Sequence, residues 1–139
     1  QYRRGLYTYW KRTTPYPSMV AFDSPSREFC VSRRIRTNTP IQALVTLNDP
    51  VYVEAATALG KWMEATGDGD ISKGIAAGYA KALYQQPDAA TVDILKNLYN
   101  EAAGPQAKMI SYRENVGKMS PWTVVANTIM NLDAFLNKS

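Results

Sequence analysis

"RRIRTNTPIQALVTLNDP", residues 33–50, carries the reading on which the fold turns. Thr39-Pro40 and Asp49-Pro50 are both helix-start signals: a side-chain oxygen suited to cap the free backbone N–H groups, then a proline whose fixed φ suits the first helical position. Between them "IQALVTLN" is apolar and short. The second proline lacks the N–H that would let the first helix continue, so the axis breaks near Asn48 and a new helix starts at Pro50. Ahead of the first start, Arg33, Arg34 and Arg36 crowd into four residues. The stretch is therefore either a grip on something anionic or the joint of a helical fold.

Towards the C-terminus the pattern stays helical. In "PVYVEAATALGKWME", Tyr52, Ala55, Ala56, Leu59 and Met63 recur at the spacing of one helix face. "TGDGD", residues 66–70, is a loop with Asp70 as the next cap. Ile71, Ile75, Tyr79, Ala82 and Leu83 line a third helix, and Gly74 and Gly78 on it permit close approach of a neighbour. "QQPDAAT" breaks the chain again. Val92, Leu95, Leu98, Tyr99 and Ala102 give a fourth helix, stopped by Gly104-Pro105. Residues 106–115 read as weakly patterned helix. In "MSPWTVVANTIMNLDAFLNK", Ser120 caps, Pro121 opens the helix, and Trp122, Val125, Ile129, Leu132 and Leu136 form its buried stripe. The expected architecture is all-α: an irregular lead over residues 1–38, then a body of about five helices over 39–139. The whole is one domain or the C-terminal half of a larger one.

Towards the N-terminus the character changes. "YTYWKR" is aromatic, "TTPYPS" holds two prolines that argue against regular structure, and Asp23-Ser24-Pro25 has turn chemistry. A short helix over 3–11 is expected in an otherwise irregular segment. Its aromatic and apolar residues argue against disorder. The charge is just as uneven. Residues 1–36 hold eight basic and two acidic side chains, a net +6, and the remainder holds eight basic and ten acidic, a net −2. A basic lead on a mildly acidic body suits nucleic acid, an anionic polymer, or an acidic surface of another domain.

The 139 residues are enough for one domain with a core. They contain no histidine and one cysteine. Histidine-dependent nucleophile pairs, the usual zinc sets, haem attachment through CxxCH and internal disulfides are thereby excluded, so no cofactor or metal is expected in this chain. Cys30, between Phe29 and Val31, reads as a small buried hydrophobe. No apolar run nears the roughly 18 residues of a membrane span. "QYRRGLYTYW" has neither a signal-peptide core nor an initial methionine, which reads as a processed or truncated chain.

Arg3 to Ala56, "RRGLYTYWKRTTPYPSMVAFDSPSREFCVSRRIRTNTPIQALVTLNDPVYVEAA", resembles a block of the planctomycete cytochrome-associated domain of unknown function 1553, the PSD-one domain. The pattern runs "LYTFWKR", a proline-rich turn, "FD-P-RE-C", "RR-RTNTPLQAL" and "LNDP-F-EAA". Trp122 to Leu136, "WTVVANTIMNLDAFL", looks like its closing "W--VA-ALLNLDEFL". Gly5, Tyr9 and Ile41 are small departures. The family domain is longer, which implies that this chain corresponds to its C-terminal half and contacts an upstream half. The resemblance also implies a large secreted parent, periplasmic or surface-associated, that carries c-type haem elsewhere. It carries over no catalytic residues.

Two groups remain as candidate contacts. Arg33, Arg34, Arg36 and Asn38 suit carboxylate, sulfate or phosphate beside a helix N-terminus, or ion pairs within the protein. Tyr7, Tyr9 and Trp10, with Tyr16, suit stacking on sugars or bases, or packing against the helices. Glu54, Glu64 and Glu101 form no recognisable catalytic pair. The leading expectation is a non-catalytic or incomplete helical module working by assembly or ligand contact. Part of an enzyme or binding protein for anionic, sulfated polysaccharide comes second, and nucleic-acid binding third. "RRIRTNTP" is expected to act chiefly as a structural joint.

Overall fold

Capping decides where the helices of this chain begin. The computed structural model describes residues 5–11, 13–25, 28–33, 37–104 and 119–136. Helices run over Pro17–Ala21 (α1), Pro40–Asn48 (α2), Pro50–Gly67 (α3), Ile71–Leu83 (α4), Ala89–Ala103 (α5), Pro121–Met130 (α6) and Asp133–Leu136 (α7), with a 3-10 turn at Gly5–Tyr7. There is no strand among the described residues. The fold is all-α, and its five longer helices are α2 to α6.

The side chain of Asp49 accepts from the Val51 N–H at 2.9 Å, Asp70 from Ser72 at 2.9 Å and Ser120 from Thr123 at 3.2 Å. Each occupies one of the four donors that a helix start leaves unpaired. The expected break near Asn48 is thus a capped restart. Asp88 caps α5 through the Thr91 N–H at 3.0 Å, a start that the sequence reading left unassigned.

The chain divides into two compact units, Gln1–Val45 and Thr46–Ser139. In the second, α6 packs on α3, α4, α5 and α7. Trp122, Val125, Ala126 and Ile129 of α6 meet Ala56 and Met63 of α3, Ile75 of α4 and Leu95 of α5 in one core. Tyr99 of α5 lies tilted against Trp122, ring centroids 4.8 Å apart. The buried seam of α3 is Ala56, Gly60, Met63 and Gly67. Tyr52 and Leu59 are only half-buried and Ala55 is exposed, so the expected stripe is displaced towards the glycines. A Cβ on Gly60 would lie 2.8 Å from Trp122 C and 2.9 Å from Thr123 N, both backbone atoms of α6. On α4, a Cβ on Gly74 would lie 2.8 Å from the Met63 carbonyl oxygen, and one on Gly78 would strike the Met63 side chain. The expected close approach along α4 is therefore made by α3 and the Trp122 ring.

Three sequence expectations are corrected here. The closing segment is not one helix to Leu136. It breaks at Asn131, whose N–H bonds to the Thr128 carbonyl at 3.1 Å in a tightened last turn. Its side-chain Oδ1 meanwhile accepts the Thr46 hydroxyl at 2.7 Å. Leu132 and Leu136 consequently lie beyond α6 and are half-buried. In the first unit, Pro17 does not prevent helix; it opens α1 at the position where proline is tolerated. The helix expected over 3–11 is a single turn closed by Thr8 N–H on the Gly5 carbonyl at 3.0 Å. The weakly patterned 106–115 lies outside the described residues.

Candidate functional site: a polar joint and an inverted helix

The first unit is organised around one carboxylate. α1 ends with Phe22 as C-cap, and Asp23 follows at φ +57°, the left-handed region. Asp23 N–H bonds to Val20 O at 3.1 Å and Ser24 N–H to Met19 O at 2.9 Å. This pair of bonds is the Schellman closure of a helix, with Asp in the place glycine usually takes. The turn aims the Asp23 side chain at the strip leading into α2. Its Oδ2 accepts from Thr37 N–H at 2.8 Å, the Thr37 hydroxyl at 2.7 Å and Gln42 Nε2 at 3.1 Å. Gln42 Nε2 also donates to Thr37 Oγ1 at 3.2 Å.

Gln42 closes the cap of α2 as well. Its Oε1 accepts the Thr39 N–H at 3.2 Å, and its own N–H reaches Thr39 Oγ1 at 3.4 Å. That reciprocal pairing is a capping box, readable in Thr39-Pro40-Ile41-Gln42 but missed in the sequence. Hydrogen bonds to a charged group are worth about 1.5–3 kcal/mol each, so this cluster is a strong polar feature among the described residues of the unit.

Asp23, Thr37, Thr39 and Gln42 thus form a polar cluster at the end of "RRIRTNTP" and the start of α2. Arg34 and Arg36 lie outside the described residues. Arg33 and Asn38 are exposed.

Gln42 is only 2% exposed and Thr46 is fully buried, while Ile41 and Leu44 stand 63% and 62% exposed and Leu47 43%. α2 therefore buries polar side chains and exposes apolar ones. Leaving a large aliphatic side chain in water forgoes about 1.5–3 kcal/mol of burial, so this face is a cost that a covering surface would recover.

The expected packing of the aromatic group is corrected: Tyr7, Tyr9 and Tyr16 are exposed, and Trp10 is half-buried. Cys30 is exposed too, with Phe29 and Val31 on either side also in solvent. Residues 28–33 belong to no helix or strand and offer nothing to bury a thiol. Glu54, Glu64 and Glu101 are each exposed. Among the described residues, no group of three His, Cys, Asp or Glu is placed to hold a metal ion, and no helix is long and apolar enough to cross a membrane. The shifted titrations are both at helix starts. Burial, with the Asp49 carboxylate second, pushes the Tyr52 phenol up, and the Thr91 hydrogen bonds pull Asp88 down.

Residues 1–99 match the model of one family, PSD1, protein of unknown function (DUF1553). The chain belongs to the PSD1 family. The matched range contains the whole joint, from Asp23 to Gln42, and all of α2. It stops short of α6, so the closing "WTVVANTIMNLDAFL" stands outside it. Neither the curated proteins nor the solved structures contain a match. Within the part matched to PSD1, Asp23 lies in "FDSP" and Thr37, Thr39 and Gln42 lie in "RTNTPIQAL". Their hydrogen bonds join these two segments in this chain.

Proposed function

We propose that this PSD1 chain is a non-catalytic, or catalytically incomplete, helical module of a secreted, cytochrome-linked multidomain protein, and that it works by contact with other domains of that parent. The inverted face of α2 carries the reading. A helix with buried polar and exposed apolar side chains suits a protein surface that completes it, an interface whose centre is apolar. The resemblance supports an extracytoplasmic setting and a parent whose c-type haem, if bound, belongs to another domain. The test is association of the purified chain with the separately purified remaining domains, followed by co-elution and titration calorimetry. A one-to-one complex is expected, weakened at least about tenfold by Ile41→Glu or Leu44→Glu, as for a residue at the centre of an interface. Absence of a complex, or binding indifferent to both substitutions, rejects the reading.

A second reading draws on the exposed rings of Tyr7 and Tyr9 and on exposed Arg33. Exposed aromatic faces suit stacking on sugar rings, and guanidinium groups suit sulfate or carboxylate. Under this reading Arg34→Ala and Arg36→Ala melt like the parent chain yet lose retention on a sulfated matrix at moderate salt. Under the joint reading they melt early, with no specific retention to lose.

A further inference from the structure

Asp23 and Thr37 are 14 positions apart in sequence, yet one carboxylate oxygen, Asp23 Oδ2, accepts the Thr37 N–H at 2.8 Å and the Thr37 hydroxyl at 2.7 Å. The two ends of the stretch between them are therefore held at one point. Each end is also anchored. Asp23 sits in the left-handed turn that closes α1, and Gln42, which caps α2, donates to the same oxygen at 3.1 Å. A surface loop of this length whose ends are held together has the form of an Ω-loop, a form often put to functional use. All of these residues belong to the first unit.

The described residues of the loop from Pro25 to Arg33 are all exposed, with Phe29 78% in solvent. In sequence, residues 24–36 hold four arginines, Arg27, Arg33, Arg34 and Arg36, against one acid, Glu28, a net +3. We propose that Asp23 is a positioning residue whose carboxylate pins this loop, so that Phe29 and Arg33 are presented to a sulfated or carboxylated polysaccharide. An aromatic face stacks on a sugar ring, and a guanidinium pairs with sulfate or carboxylate through two parallel hydrogen bonds. The inference rests on the polysaccharide reading and adds to it the loop, Phe29 and the residue that holds them. Fixing the ends in advance removes freedom that the loop would otherwise lose on binding. A negative charge thus aids the binding of a polyanion, which is opposite in sign to its direct electrostatic effect.

Heparin-affinity chromatography of the full 139-residue chain, eluted with a salt gradient, uses that difference in sign. The wild type is retained, and Phe29→Ala and Arg33→Ala each elute at lower salt. Asp23→Gly keeps the left-handed turn unstrained and removes the carboxylate. It also makes the chain one charge more positive, so electrostatics alone moves it to higher salt, whereas loss of the pin moves it to lower salt. Asp23→Asn, which tolerates the left-handed region, keeps the comparison available should the glycine variant fold poorly, and shifts the same way. Unchanged or later elution of whichever variant keeps the helical circular-dichroism spectrum overturns the proposal. Hydrogen exchange at the Thr37 amide reads the pin without any ligand. It becomes at least about tenfold faster in Asp23→Gly, as for a protected site that opens, and equal rates also overturn the proposal. An unretained wild type sinks the polysaccharide reading and this inference with it. A retained wild type with unshifted Asp23 variants sinks the positioning role alone.

Discussion

Gly60 shows how much one missing methyl group decides. The α3–α6 contact there is backbone against backbone, since a Cβ would meet Trp122 C at 2.8 Å and Thr123 N at 2.9 Å. Alanine at an ordinary mid-helix glycine stabilises by roughly 0.5–1 kcal/mol. Here that gain is outweighed, because neither backbone atom can swing aside. Overpacking costs about 1–3 kcal/mol, so Gly60→Ala is expected to lower the unfolding midpoint. Gly78→Ala, which strikes only the flexible Met63 side chain, should lower it less. Denaturant unfolding of the two variants checks the order, and equal or reversed effects would contradict the close approach. Asp23 is the other decisive residue. Its hydrogen bonds run to residues 14 and 19 positions away, a range at which sequence patterns say nothing.

The elements owe their starts to local chemistry and their buried faces to their neighbours. Asp88 makes the local part measurable. Its carboxyl is held below the ordinary 3.8, chiefly by the Thr91 hydrogen bonds. A carboxylate depressed in the folded state contributes stability that is present above its unfolded value and lost as pH falls through the folded one. The midpoint advantage of the wild type over Asp88→Ala should therefore hold at neutral pH and shrink below 3.8. Asp88→Asn, a neutral residue that caps about as well, should keep its own margin in acid. Thermal unfolding followed by circular dichroism across that range checks it, and a pH-independent margin for the wild type would contradict the capping account. The break at Asn131 was not legible because "NLDAFL" continues a helical pattern; Asn131 instead closes a tight turn and accepts the Thr46 hydroxyl.

At the scale of the whole chain, composition is the main guide. With no histidine, one exposed cysteine and no acidic or sulfur cluster placed for a metal among the described residues, we expect the purified chain to bind no haem and no structural zinc. Metal analysis and a visible spectrum test this, and a stoichiometric Soret band or one zinc per chain would refute it. The family match over residues 1–99 agrees with the resemblance drawn from the motifs at the N-terminal side.

Helix class, the caps at Asp49, Asp70 and Ser120, the break before Asp49 and the family were determined by sequence. Each depends on interactions within a few residues, or on a long ordered run of residue types. The capping box at Thr39 and Gln42 was legible by spacing and was overlooked. Only the tertiary structure decided that the α3 seam runs through Gly60 and Gly67, because glycine carries no hydrophobic signal and its role appears only when a neighbour's backbone arrives. It also decided that Cys30 and the tyrosines of the lead stand in solvent, since burial depends on what a loop has to pack against. Above all, it decided that Gln42 and Thr46 of α2 are buried while Ile41, Leu44 and Leu47 are exposed. Apolar periodicity predicts burial of the apolar residues, whereas Gln42 is buried where it donates to a carboxylate 19 residues before it.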